Sequence, residues 1–255
     1  MTDTHTHLYM DAYEGDQAGA VERAIASGVT MMIFPDVCPE SHEAMVRLHR
    51  LYPYNTRITL GLHPTEVKED VDRVLDTMES LLDSGDYVAI GEIGIDLHWD
   101  SSTLEAQKRA FARQLEWGAC RALPVIIHCR DGIDATLEVI KECKYPLPTL
   151  IFHSFTSGIE DVRRIREVCN PYFGINGVVT FKNAAELREA IPEIGIEKIV
   201  LETDAPYLAP VPHRGGRNES SYIPFIRDKI AEILNLSSEE VEQITDDNSK
   251  KIFRF

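Results

Sequence analysis

Val88-Ala89-Ile90-Gly91-Glu92-Ile93, the amphipathic run Thr103–Arg121, and Pro124-Val125-Ile126-Ile127-His128-Cys129 together decide the fold. Two short apolar runs of β type flank a helix-length segment. In that segment Leu104, Ala112, Leu115 and Ala119 recur on one side, as in a helix lying on a sheet. Strand, helix and strand in this order form a parallel βαβ unit. Outward from this unit the alternation repeats. Strands are expected near Thr2–Leu8, Thr30–Phe34 and Arg57–Gly61 before it, and near Thr149–His153, Tyr172–Asn176 and Lys198–Glu202 after it. Ser157 is placed to cap a helix running to about Cys169, and Ser237 with Glu240 has the capping-box pattern. Eight such units in 255 residues give an α/β fold, a single (β/α)8 TIM barrel occupying 1–255 as one domain. A doubly wound open sheet is the alternative, but no GxGxxG follows an early strand.

The candidate site residues fall where that barrel would collect them. His5 and His7 close the first strand, His63 follows the third, and Glu92 ends the fourth. His128 ends the fifth, His153 the sixth, and Asp204 follows the eighth. The C-terminal strand ends of a barrel share one mouth, and two residues two apart on a strand point to the same side. Imidazole and carboxylate are the ordinary ligands of Zn²⁺, Mn²⁺ and similar ions. A bound divalent ion lowers the pKa of a coordinated water towards ~7, and two ions together can clamp a phosphoryl group. A carboxylate has two oxygens for two metals, and Glu92 is the candidate bridge.

Composition sets outer limits. The formal charge is −16, from 26 basic and 42 acidic residues. Such a surface argues against broad duplex binding, which relies on many Lys and Arg contacts to phosphate. It leaves room for a nucleic-acid end gripped at a cationic centre. The apolar stretches are too short to span a bilayer. The N-terminal residues lack a basic segment followed by an apolar run, so a secretory signal is not expected. Five irregularly spaced cysteines suit reduced thiols. The expectation is a cytoplasmic protein with no membrane association and no obligate protein partner.

Other residues carry open alternatives. His63 either contacts substrate beside the metals or braces the mouth. Arg130, Lys182 and Arg214 follow strands five, seven and eight, where they can neutralise phosphate charge or simply remain solvated. Asp96 and Asp131 either orient ligating histidines or cap the next helix. Trp99, after His98, either stacks on a base or anchors its loop. His42 and His49 read as surface residues of a helix. Cys129, next to His128, points by alternation into the layer between barrel and helices.

The motifs themselves are Asp3-Thr4-His5-Thr6-His7-Leu8, Gly61-Leu62-His63-Pro64, Gly91-Glu92-Ile93-Gly94-Ile95-Asp96 and Ile127-His128-Cys129-Arg130-Asp131. They continue with His153-Ser154-Phe155-Thr156, Gly177-Val178-Val179-Thr180-Phe181-Lys182-Asn183 and Glu202-Thr203-Asp204-Ala205-Pro206-Tyr207-Leu208. From Asp3 to about Phe253 the chain resembles the TatD family of metal-dependent hydrolases, within the amidohydrolase-type barrels. The resemblance implies one metal on His5, His7, Glu92 and Asp204 and a second on Glu92, His128 and His153, with no carboxylated lysine. It implies a deoxyribonuclease that trims an end in the 3′-5′ direction, with metal-bound hydroxide as nucleophile and with Glu92 and Asp204 as catalytic carboxylates. The substrate would be DNA or RNA ends, single-stranded or short. The resemblance also permits another ester or amide substrate, such as a D-aminoacyl-tRNA. A metal-stabilised binding module without turnover is the non-enzymatic alternative. The chain departs from the family pattern after Pro212-His213-Arg214-Gly215, where Gly216 stands in place of a usual lysine and Arg217 follows. His153-Ser154-Phe155-Thr156 stands where the family commonly has His-Cys-Phe-Ser.

Overall fold

The computed structural model describes residues 1–83 and 85–255. Among these, eight parallel strands appear: β1 (Thr2–Asp3), β2 (Met31–Phe34), β3 (Thr56–Ile58), β4 (Ile90–Asp96), β5 (Val125–Arg130), β6 (Leu150–Phe152), β7 (Tyr172–Ile175) and β8 (Ile199–Leu201). Strands β1 to β3 pair in order, as do β4 to β8. A parallel bridge between Leu60 and Ile90 joins the two arcs, and one between Thr6 and Ala205 closes the ring. Thr4 donates its N–H to the Leu201 carbonyl at 2.9 Å across the same seam. This is the (β/α)8 barrel expected from the alternation.

The helices α1 (Gln17–Ala26), α2 (Pro39–Leu51), α3 (Val71–Leu82), α4 (Leu104–Arg121), α5 (Ile133–Glu142), α6 (Ile159–Arg166), α7 (Ala185–Ile194), α8 (Ile223–Leu234) and α9 (Ser238–Phe253) complete the order. Alternation along the strands divides the core in two. One large cluster fills the layer between strands and helices and includes Val125, Ile127, Leu150 and Phe152. A smaller one, with Met31, Ile33, Ile126, Ile151, Tyr172 and Val200, is closed by Ile252 and Phe253 of α9. Since parity repeats every two residues, Ile126 predicts the direction of His128, Ile151 that of His153, and Val200 that of Glu202. Cys129 has the opposite parity, and Thr136 of α5 donates to its sulfur at 3.4 Å, as alternation requires.

Several local expectations fail for physical reasons. The ladder of β1 stops at Asp3, so His5, in a bend, and His7 lie beyond it. Glu92 does not end its strand: β4 runs on to Asp96, and its pairing with β5 shifts register between Ile90 and Ile93. Such a bulge re-aims a side chain, and the residue re-aimed here is Glu92. The buried face of α4 differs from the expected one. Ala112 is exposed, and Leu104 and Ala119 are only half-buried. The buried face consists of Gln107, Ala110, Phe111, Gln114, Leu115, Trp117 and Gly118. The two glutamines bury because their amides satisfy loop backbone. Gln107 accepts from Asp96 N at 2.8 Å, and Gln114 accepts from Leu62 N at 2.7 Å. Gly158, not Ser157, is the N-cap of α6, which ends at Arg166 without a side-chain cap. The capping box of α9 forms between Ser237 and Glu240. His42 and His49 are not free surface groups. His42 Nδ1 lies 2.7 Å from the fully buried Asp36, and His49 Nδ1 lies 2.8 Å from Thr56 Oγ1.

Candidate metal centre

The bulge in β4 delivers Glu92 to the middle of the mouth, where its two oxygens face different partners. Oε2 lies 3.1 Å from His5 Nε2 and 3.7 Å from His7 Nε2. Oε1 lies 2.7 Å from both His128 Nδ1 and His153 Nε2, and 3.3 Å from His63 Nε2. Asp204 Oδ1 joins the first group, 3.8 Å from His5 Nε2 and 3.7 Å from His7 Nε2. The structure therefore brings together all six residues expected as ligands. It adds His63, whose ligand atom lies within 4.8 Å of those of Glu92 and His128.

Local structure holds each ring. His7 Nδ1 lies 3.0 Å from the Tyr9 hydroxyl, which donates to the Pro35 carbonyl. His128 Nε2 lies 2.8 Å from Asp96 Oδ2, and His153 Nδ1 lies 3.5 Å from Glu202 Oε1. His5 stacks on His153 with centroids 3.8 Å apart. Asp204 occupies a left-handed turn at φ +57°, and its N–H donates to the His5 carbonyl. That turn is fastened from below: Asp3 accepts from Thr203 N at 2.9 Å and from its hydroxyl at 2.6 Å. Asn218 Nδ2 donates to the Thr203 and Tyr207 carbonyls.

Electrostatics in the pocket favour a cation. Burial, then His153, pushes His5 down to about 4, and burial with His5 holds His7 well below the imidazole range. Both rings are therefore neutral at pH 7, yet their Nε2 atoms sit 3.2 Å apart beside two carboxylates. Burial alone would raise Glu92, but His153, His5 and His63 hold it well below the carboxylate range. Burial lifts Asp204 to about 7. Burial would also lower His153, but Glu92 and Glu202 outweigh it and hold this ring well above its usual value. An enclosure that draws a proton onto a buried imidazole favours any cation of the right size. Four imidazoles and two carboxylates with converging lone pairs fit a divalent metal by donor chemistry. Further buried atoms, His5 Nδ1, His153 Nδ1 and Glu202 Oε2, have no hydrogen-bond partner in the protein.

Of the residues expected on substrate, Arg130, Lys182 and Arg214 occupy exposed positions rather than the buried cluster. The Arg130 guanidinium lies 5.5 Å from the Trp99 ring, and that of Arg214 lies 4.4 Å from Phe181. Arg217 does not replace the basic group absent at Gly216, because Asp16 and Glu219 engage it at 2.6 and 2.9 Å. Asp96 orients a ring; Asp131 instead pairs with His98 at 2.9 Å. Sequence reading assigned no role to Tyr9, Asp3 or Glu202. Period-two parity from Val200 would have found Glu202, and from His5 would have found Asp3; Tyr9 follows His7 by the same step.

A family model described as TatD related DNase matches residues 2–254. A Bacillus subtilis protein named an uncharacterized metal-dependent hydrolase, YabD, is 34% identical, covering 99% of this chain and 98% of its own. A Pectobacterium parmentieri protein named 3′-5′ ssDNA/RNA exonuclease TatD is 34% identical over 100% of this chain and 99% of its own. The crystal structure of YjjV, a TatD homologue from Escherichia coli K12, superimposes with a TM-score of 0.92 at 26% identity, covering 100% of this chain and 98% of that one. With the barrel, the divided carboxylate and whole-length similarity in agreement, the chain belongs to the TatD-related DNase family of metal-dependent hydrolases.

Proposed function

We propose that the protein is a two-metal exonuclease that removes nucleotides from the 3′ end of single-stranded DNA or RNA. The observation that carries this reading is Glu92, one oxygen of which faces His5 and His7 and the other His128 and His153. In it, His5, His7, Glu92 and Asp204 hold one divalent cation, and Glu92, His128 and His153 hold the second, the ions being Zn²⁺, Mn²⁺ or Mg²⁺. Such cations supply Lewis acidity at a phosphoryl oxygen and acidify water for attack at neutral pH. The name of the Pectobacterium relative supports the substrate class.

The protein groups then have definite tasks. Asp204 keeps 15% of its side chain exposed and, as a carboxylate, accepts the proton of the attacking water. His63 Nδ1 accepts the Thr65 N–H at 3.2 Å. The neutral ring therefore carries its proton on Nε2, 3.3 Å from Glu92 Oε1, where a phosphate oxygen drawn to the cations would meet it. On this reading His63→Ala lowers kcat roughly 10²-fold, as loss of one aimed donor does, and leaves the metal content intact. Metal analysis beside kinetics separates this from a ligand role, in which bound metal falls with activity. Arg130, Lys182 and Arg214 remain candidates for phosphate contacts farther along the strand.

The direct test uses chelator-stripped protein, 5′-labelled single-stranded DNA and RNA, and Mg²⁺, Mn²⁺ or Zn²⁺ in separate reactions. A metal-dependent ladder shortening from the 3′ end is expected. No cleavage by protein shown to bind two ions would overturn the proposal. Metal restored at a thousandfold excess over its Kd should also stabilise the fold by about 4 kcal/mol. In a melting scan that is a rise of roughly 10 °C over the stripped protein.

A further inference from the structure

Trp99 is one of two tryptophans, and the two differ sharply: Trp117 is 2% exposed and Trp99 is 72% exposed. An indole left in water on the rim of a site is unusual enough to require an account. It lines a groove of about 560 Å³ between the loop after β3 and the loop after β4. The groove borders the metal centre, because two of its lining residues are bonded to ring nitrogens there. Thr65 is bonded to His63 Nδ1 at 2.7 Å, and Asp96 to His128 Nε2 at 2.8 Å. The indole is also held in place. The ring of His98 meets it edge-on with centroids 5.0 Å apart, and His98 is pinned to Asp131. Arg130 approaches its ring at 5.5 Å.

Charge selects what can occupy the groove. Beside Trp99, the acidic residues Glu69, Asp72, Asp96 and Asp100 outnumber the cations Lys68 and Arg109 along its lining. A phosphate would meet these carboxylates at a cost, whereas an uncharged planar base would not. A base stacked on indole gains the same contact whatever its identity. We infer that Trp99 is a stacking platform for one unpaired base of the nucleic-acid substrate, seated in this groove next to the scissile end. The assignment rests on the nuclease reading and deepens it: a base can reach the indole only if it is splayed out of a duplex, so the platform selects single strands.

The experiment combines fluorescence with a base-deletion cycle. Because Trp117 is sealed in the core, quenching of emission by a short phosphorothioate-linked oligodeoxythymidine on the metal-loaded protein reports Trp99. In cleavage assays Trp99→Ala should raise KM for a base-bearing strand roughly tenfold. The loss should fall on KM rather than kcat, and Trp99→Phe should recover most of it. With a strand whose 3′-terminal segment is abasic, wild-type protein should itself show the weakened KM of Trp99→Ala. An equal rise in KM on both strands would mean that Trp99 only supports its loop, and would overturn the platform. So would unquenched emission from protein that cleaves normally. Absence of both cleavage and quenching in wild-type protein would overturn the nuclease reading and the platform with it.

Discussion

Glu92→Gln is expected to lose cleavage by roughly 10³-fold or more while the barrel stays folded. The amide has the shape of the carboxylate, so packing in the mouth changes little. Its chemistry is different: one of the two oxygens becomes an NH₂ that donates where a cation should be held. Whichever way the amide turns, either the His5–His7 side or the His128–His153 side meets a donor instead of an acceptor. The negative charge that offsets the cations also disappears. Metal content measured beside kcat should fall from two ions to one or none. Wild-type kcat with two ions retained would refute the bridging role of Glu92 and the divided site built on it.

Gly94→Ala has the largest expected effect on the fold. Gly94 has φ +143°, and a Cβ there would lie 2.0 Å from the carbonyl oxygen of His128. The two residues are register partners in the β4–β5 pairing, so neither backbone can retreat without breaking the ladder. A cost of about 4 kcal/mol or more is expected, in the range of severe core lesions, read as a melting temperature lowered by roughly 10 °C or as insoluble protein. Gly215→Ala is the control. Gly215 also has positive φ, +90°, but nothing lies within 4 Å of its Cβ position. Its substitution therefore carries backbone strain alone, on the order of 1 kcal/mol. A Gly94→Ala protein as stable as Gly215→Ala would show that the two strands can separate at this point.

The barrel and the side chains gathered at its mouth were legible because they depend on period and position. Strands alternating with helices gave the ring, and the strand ends gave His5, His7, Glu92, His128, His153 and Asp204. What escaped depended on pairing that a linear pattern does not carry. The burial of Gln107 and Gln114 has no local signal, because nothing in the linear pattern says that the N–H groups of Asp96 and Leu62 wait beneath them. His42 read as a surface residue because its partner, the buried Asp36, lies on the preceding loop rather than on its helix. The bulge that turns Glu92 inward arises from register with β5. That Arg217 is held by Asp16 and Glu219 depends on residues far from it in the chain or on a fold around it, and no local pattern shows it.

The seam between β1 and β8 has a consequence for synthesis. Thr4 and Leu201, which meet there, are 197 residues apart in the chain. A ribosome adding about 5–20 residues per second leaves the first strand without its neighbour for roughly 10–40 s. Throughout that interval His5 and His7 are bare of Asp204. The half of the centre that needs Asp204 therefore comes into being only when the last strand docks, whereas Glu92, His128 and His153 already sit on or just past paired strands. Nascent chains truncated before Asp204 should accordingly lack the cation of His5 and His7, however much of the preceding sheet they have built.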